Sequence, residues 1–484
     1  MHQKKKPHSV GHPVTHTLTR RELLKYLGAA SGSLLLPSSR KFLTLPASAN
    51  AGDGSAPANI ILIIVDAVRS DHVSSYGYFR QTTPNLDNWF GDQGVRFDRA
   101  HASSVWTYPS NAAIFSGRDP VKTATIGWYD HFLPHDLGLL PEYLQAAGYY
   151  TAGFVTANFV SAARGFNRGF DVYDDSLTVG HPTSYRGVAE ELNDLATAWL
   201  DTWTANSQPL FLLLYYFDPH TWYYAPPPYD YTLYDPTYTG PLTADVYADA
   251  QAVVAGDIVP TPRDIEHLHA IYDGEITYFD HYLGQMMSYL DNKQLLNNSL
   301  ALLTADHGDS FGENDRWNHG GGLNHEELRV PMYMRYPGVI PAGHAVSEPV
   351  QGIDLVPSIL DWTGLSIPAE IDGVTLRALA EDQFGSGPSR DLFFALDGAT
   401  DPDLFSYWIA PRHDLRAMLR EGWKYIHHVR HSELDELYLL NSSSQYETDN
   451  VIAQEPQRAA QMKAAIMEQY NLPVGESLIP AVFG

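Results

Sequence analysis

Three apolar runs in this chain each end on an aspartate. Residues 59–65 lead to Asp66, 210–217 to Asp218, and 300–305 to Asp306-His307-Gly308. Carboxylates with one imidazole are ligands for hard and borderline divalent cations, so these run ends form a metal site if the fold gathers them. A single aspartate after a strand is commonly a turn former or helix cap. Three of them, one followed by His-Gly, favour a metal. A second chemical signal lies in Trp106-Thr107-Tyr108-Pro109-Ser110-Asn111, followed by small residues as far as Gly117. A Tyr-Pro turn into a helical run would put Thr107 at a helix N-terminus, where free N–H groups and the dipole favour an anion. Its oxygen becomes a nucleophile if a metal lowers its pKa. The plainer alternative is an N-cap threonine.

The elements that must position these residues follow from periodicity. Continuous apolar runs are the pattern of parallel strands buried on both faces. In open α/β sheets the ligand site lies off the carboxyl ends of such strands. Helical stretches at 83–93, 139–147, 185–203 and 263–290 alternate with the runs, which predicts a doubly wound, mostly parallel sheet flanked by helices. Residues 223–262 read as a long irregular Tyr/Pro-rich excursion, the length of a lid or inserted loop. Beyond about residue 385 the pattern changes. Runs 415–419 and 423–429 joined through Glu421-Gly422 read as a hairpin, 436–440 as a strand and 455–470 as a closing helix. The expected division is a catalytic α/β domain over 58–384 and a C-terminal subdomain with a small antiparallel sheet over 385–484.

A chain of 484 residues with 44% hydrophobic and 18% charged residues can build a large core. Its formal charge of −26 argues against nucleic acid, which needs a basic face. A small anionic substrate remains compatible, because a metal supplies positive charge locally. With no cysteine, disulfides, thiolate metal sites and a cysteine nucleophile are excluded. The N-terminus reads as an address: Lys4-Lys5-Lys6, then Arg20-Arg21, an apolar run over 26–36 and Ala47-Ser48-Ala49. Consecutive arginines before a modest apolar run predict a twin-arginine export signal over 1–49, with 50–57 a linker. That makes the twin-arginine translocation machinery an expected partner and the protein exported.

Taken in order, these segments resemble the sulfatase branch of the alkaline phosphatase superfamily along nearly all of the chain after the signal. The resemblance rests on Ile64-Val65-Asp66-Ala67-Val68-Arg69-Ser70-Asp71-His72, Thr83-Pro84-Asn85, the Thr107 segment and Phe217-Asp218-Pro219-His220. It continues through Tyr272-Asp273-Gly274-Glu275, Thr304-Ala305-Asp306-His307-Gly308, Glu326-Glu327-Leu328-Arg329-Val330-Pro331 and Ile353-Asp354. The resemblance implies Asp66, Asp306 and His307 as metal ligands with Thr107 as the nucleophile beside the metal. It places His220 near the ester or its leaving group and His319 facing the substrate, with His325 a further substrate-binding candidate.

The departure from the family pattern is chemical. Sulfatases carry cysteine or serine where Thr107 stands, and a maturation enzyme turns it into formylglycine. Threonine cannot be converted, so no formylglycine is expected, and Asn111 stands where the family has arginine. Thr-based members of the superfamily act mainly on phosphate esters, phosphodiesters or phosphonates, or transfer head groups. The expected activity is therefore metal-dependent cleavage or transfer of a small-molecule or head-group phosphate ester, with Asn111 binding non-bridging oxygens. The expected metal is Mn2+, Zn2+ or Ca2+, in one or two sites, with Asp218, His319 and His325 as spare ligands. Sulfate ester hydrolysis by unmodified threonine is one alternative, and a binding protein that keeps only the fold is another.

Overall fold

The computed structural model describes residues 59–127, 132–178, 188–203, 208–233, 235–382, 390–398, 414–440 and 447–472. The expected export signal and linker lie outside them. The three apolar runs become neighbouring central strands. β1 (Asn59–Val65) sits between β5 (Leu210–Tyr216) and β6 (Ser299–Ala305), parallel to both. Register fixes the consequence: Val65 lies opposite both Tyr216 and Ala305, so the three strands end level and their terminal acids start from one edge. Further out come β3 (Tyr150–Val155) and β4 (Val172–Asp174) on one side. On the other are β9 (Met332–Arg335), β2 (Val95–His101) and β10 (His344–Gln351). The order is β10-β2-β9-β6-β1-β5-β3-β4, with β9 antiparallel to both neighbours.

Helices pack around this sheet. The longest, Pro262–Asn292, starts on a capping box in which Thr261 and Asp264 satisfy each other's backbone N–H groups, with Pro262 in the first turn. Of the expected helices, 83–93 is present as an α-helical turn at Pro84–Leu86 that runs on into a wider π-helical turn over Asp87–Gly91. The excursion over 223–262 is less irregular than expected, because Val246–Ala255 is helical and capped by the Asp245 side chain on the Ala248 N–H. The small antiparallel sheet is present as β11 (Leu392–Leu396), β12 (Leu415–Arg420), β13 (Trp423–His428) and β14 (Glu436–Leu439), in that order. Met418, Tyr425 and Leu437 of this sheet pack on Ala459, Met462 and Ile466 of the helix Pro456–Gln469.

The turn at 84–86 is held from the long helix by buried Asp280, which accepts hydrogen bonds from the Asn85 N–H (2.9 Å), Asn85 Nδ2 (2.9 Å) and the Leu86 N–H (2.8 Å). Burial outweighs these bonds and pushes its carboxyl up to about 6. Because the folded state holds this proton and the unfolded state releases it near 3.8, unfolding releases a proton as pH rises between those values. Stability should therefore fall over that window, by at most about 3 kcal/mol from this residue. Chemical denaturation of wild type and Asp280→Asn at several pH values checks this. A wild-type slope no steeper than the variant's would reject it.

Candidate active site

The helix Thr107–Ser116 is buried along its whole length, and its first turns meet the segment that follows β6. Thr107, Ser110 and Asn111 are spaced i, i+3 and i+4, so they share one helical face. All three meet the segment after β6. Ser110 Oγ donates to the Asp306 carbonyl (2.5 Å), Asn111 Nδ2 donates to Asp306 Oδ2 (2.9 Å), and Thr107 Oγ1 lies 3.4 Å from His307 Nε2. The N-cap residue is Trp106, without a side-chain cap, so Thr107 is already the first helical residue. Its hydroxyl does not cap the helix. It faces His307.

Asp66, Asp306 and His307 are fully buried, and each offers a ligand atom within 4.8 Å of the others. His307 Nδ1 donates to the Gly308 carbonyl (3.0 Å), because a carbonyl can only accept. That hydrogen bond leaves the Nε2 lone pair directed to the cluster, 3.4 Å from Asp66 Oδ1 and 3.7 Å from Asp306 Oδ2. Burial, opposed by the Asp306 charge, lowers the imidazole's pKa and keeps the ring in its ligating form. The two carboxylates are bridged by Tyr215, whose hydroxyl lies 2.9 Å from Asp66 Oδ2 and 2.8 Å from Asp306 Oδ2. Asp306 Oδ1 accepts from the backbone N–H groups of Ala67 and His307. Asp66 Oδ1 has no hydrogen-bond partner although it is buried. Burial, and then the facing Asp306 charge, push the Asp66 carboxyl well above its ordinary range. An orphaned carboxylate oxygen beside a second carboxylate and an imidazole lone pair is a donor set that fits a divalent cation. Ala67, between Asp66 and the next turn, takes a left-handed φ of 58°, a sparsely populated region for a residue with a Cβ.

A second layer lies against this cluster. Asp309 and His319 flank a two-strand ladder, β7 (Ser310–Phe311) with β8 (Trp317–Asn318), so the ladder's register brings them face to face. His319 Nδ1 and Asp309 Oδ1 are 2.5 Å apart, and Tyr223 from the excursion donates to Asp309 Oδ2 (2.6 Å). Burial pushes the Asp309 carboxyl up, but the His319 ring and its hydrogen bond reverse this and hold it at about 2. The His319 ring is 4.3 Å from that of His307 and 4.9 Å from that of His220. His220 stacks on Phe217 at 4.4 Å and donates through Nδ1 to the Thr221 carbonyl (2.8 Å). Burial, then His319, pull its pKa down to about 3.

The structure brings the expected residues Asp66, Thr107, Asp306, His307, His220 and His319 into one region, and differs from the expected placement of three others. Asn111 Nδ2 is taken by the Thr107 carbonyl, Tyr215 and Asp306, which points the amide nitrogen at the Asp306 carboxylate instead of at a substrate oxygen. Asp218 does not join the cluster. Both its oxygens accept from the Val188 N–H at the start of the helix Ala189–Thr202, and burial pushes it up to about 7. His325 is held elsewhere, its N–H donating to Glu447 and its Nε2 accepting from Arg329. Tyr215, Ser110, Asp309 and Tyr223 were not singled out. Asp309 carried a signal, as a third acid directly after Asp306-His307-Gly308, whereas Tyr215 is hidden inside an apolar run.

The family model described as Sulfatase matches residues 58–365. The chain belongs to the sulfatase family. It is a hydrolase of that superfamily, and the metal-binding geometry above agrees with the divalent ion such enzymes carry. A second model, N-sulphoglucosamine sulphohydrolase, C-terminal, matches residues 314–471, which span the small antiparallel sheet. Among curated relatives, an arylsulfatase of Clostridium perfringens is 25% identical over 381 residues, 67% of this chain and 79% of the relative. An N-acetylglucosamine-6-O-sulfatase of Bacteroides thetaiotaomicron is 24% identical over 440 residues, 75% of this chain and 77% of the relative. Among solved structures, a phosphonate monoester hydrolase from Silicibacter pomeroyi superposes with a TM-score of 0.67 at 22% identity, covering 87% of this chain and 97% of its own. That likeness shows the shared fold of this sulfatase-family chain. No helix among the described residues is long and apolar enough to cross a membrane.

Proposed function

We propose that this sulfatase-family protein is an exported, metal-dependent hydrolase of phosphate mono- or diesters that uses Thr107, unmodified, as its nucleophile. One observation carries the reading. The Thr107 hydroxyl caps nothing and faces His307, in a cluster whose Asp66 Oδ1 lacks a partner. Asp66, Asp306 and His307 are the residues that would hold a divalent cation, and their oxygen-rich set suits Mn2+ or Zn2+, with Ca2+ next. When bound, it would lower the pKa of the Thr107 hydroxyl and offset negative charge on the ester.

The chain's own groups do the rest. Helix 107–116 fixes Thr107 Oγ1 for in-line attack, forming a Thr107–phosphorus bond as the bond to the leaving alkoxide breaks. His319 is placed to donate a proton to that alkoxide, because Asp309 Oδ1 holds its ring through Nδ1 at 2.5 Å beside the cluster. His220 is the poorer donor. Its Nδ1 proton is committed to the Thr221 carbonyl and burial disfavours a second one. Water then cleaves the threonyl ester, or an acceptor alcohol takes the phosphoryl group. His307 has one lone pair to give, so it cannot fully serve both its Asp66/Asp306 neighbours and the Asp309/His319 pair, which supports one cation over two.

His319→Gln should therefore reduce turnover of esters with poorly acidic alcohols on the order of 10²-fold or more, and spare p-nitrophenyl esters, whose leaving group needs little protonation. Equal losses on both would remove His319 from the acid role. The names of the curated relatives favour a second reading, sulfuric ester hydrolysis at the same threonine. Matched p-nitrophenyl phosphate, phosphodiester, phosphonate and sulfate esters, offered to metal-reconstituted protein, separate the two. Dominant sulfate turnover would overturn the phosphate assignment and leave the site intact.

A further inference from the structure

A cavity of about 710 Å³ opens between β2, the helical turn His325–Leu328 with Arg329, and the β12–β13 hairpin. It is lined by Arg96, Arg99, Arg329, His101 and His325, with Asp71 and Asp98, and includes none of the Thr107 cluster. In a chain of net charge −26 this is a concentration of positive charge. Its two acids are already engaged: Asp71 takes Nε and Nη2 of Arg69 at 3.0 and 2.9 Å, and Asp98 takes Arg96 Nε at 2.8 Å. Arg99 and Arg329 remain. Arg99 donates to the Ser347 carbonyl (2.5 Å) and Arg329 to the Asp98 carbonyl, and neither forms an ion pair among the described residues.

The histidine beside them settles the sign of what would bind. Arg329 Nη1 lies 3.0 Å from His325 Nε2, and a guanidinium can only donate, so Nε2 is the acceptor. Burial, with Arg329 and Lys424 nearby, holds His325 neutral, so its single ring proton sits on Nδ1. That Nδ1 is buried with no partner, as is Arg329 Nε. Residues that line the cavity thus include three arginines against two acids and carry two buried donors without an acceptor, and the complement is an acceptor-only anion. We infer that this cavity is a binding site for a tetrahedral oxyanion, phosphate or sulfate, held by Arg329, Arg99 and His325 Nδ1–H. Its volume exceeds that of a bare oxyanion, so there is room for the body of a phosphorylated or sulfated sugar as well as for the free ion.

The full chain, loaded with metal, would be titrated calorimetrically with tungstate as a tetrahedral oxyanion probe. Crystals soaked in tungstate would be examined for anomalous peaks. The expected result is a peak within hydrogen-bond reach of Arg329 and His325 Nδ1, and binding at this site at least tenfold weaker in Arg99→Glu. That side chain is exposed, so the variant should fold even if Arg329→Met does not. Thr107→Ala should leave this binding unchanged, which keeps it distinguishable from any anion held at the catalytic cluster. Displacement of tungstate by glucose 6-phosphate at least tenfold better than by inorganic phosphate would identify an esterified ligand, and equal displacement the free ion. No anomalous peak in this cavity, or tungstate binding insensitive to Arg99→Glu, would overturn the inference.

Discussion

Replacing Thr107 by alanine should abolish ester turnover, a loss on the order of 10³-fold or more, while leaving the melting temperature nearly unchanged. The two halves of this expectation come from one geometry. The hydroxyl is 3.4 Å from His307 Nε2 and does not cap its helix, so removing it deletes one weak contact. The folding cost should stay within about 1 kcal/mol. A rate loss of 10³-fold corresponds to about 4 kcal/mol of transition-state stabilisation. A residue that matters little to the fold and greatly to the reaction is one whose oxygen reacts. Thr107→Ser keeps that oxygen and should retain measurable turnover, whereas Thr107→Val, which keeps the shape, should behave like alanine. The assay is p-nitrophenyl ester hydrolysis by metal-loaded protein, with a thermal melt on each variant. Turnover surviving in the alanine and valine variants would move the nucleophile to another residue.

The centre of this fold was readable from sequence because three buried strands, 59–65, 210–216 and 299–305, are near-continuous apolar runs in which Asn59, Ser299 and Thr304 are too few to break the pattern. The outer strands were not. β2 reads VRFDRAH and β10 reads HAVSEPVQ, and their charges belong to half-exposed faces. β9 has four residues, too few for a period to show. The convergence of Asp66, Asp306 and His307 was legible because they follow strands whose register sets where they end. Asn111 was misread because its role depends on which way its helix docks, and docking turns its amide onto Asp306. His325 follows His319 by only six residues, yet the chain reverses through Gly320-Gly321-Gly322 and the His325–Leu328 turn then ties it to Glu447 and Arg329. Proximity in sequence says little across such a turn. Tyr215 could not be found at all, since within its strand it is one more large residue, and only its hydroxyl reaches the carboxylates.

Stripping the protein with a chelator should lower its melting temperature by several degrees, and adding back Mn2+, Zn2+ or Ca2+ should restore it. A ligand present at about 100 times its dissociation constant stabilises the folded state by about 2.7 kcal/mol. The residues explain why the stripped state is the costly one. Asp66 and Asp306 are buried carboxylates that share the Tyr215 hydroxyl, and Asp66 Oδ1 is left without a partner. Without a cation their repulsion is relieved by protonating Asp66, whose carboxyl burial and Asp306 already push well above the ordinary range. Asp66→Asn imitates that protonated acid. The variant should therefore melt near or above stripped wild type, because it removes the like charge, and below the metal-loaded enzyme. Its melting temperature should no longer respond to added metal. The crossing of the two curves is the decisive feature: wild type gains from metal, Asp66→Asn does not, and the variant is the more stable of the pair only in the absence of metal. A wild-type melt indifferent to chelator, or an Asp66→Asn melt that rises with metal as wild type does, would show that these carboxylates do not hold the ion.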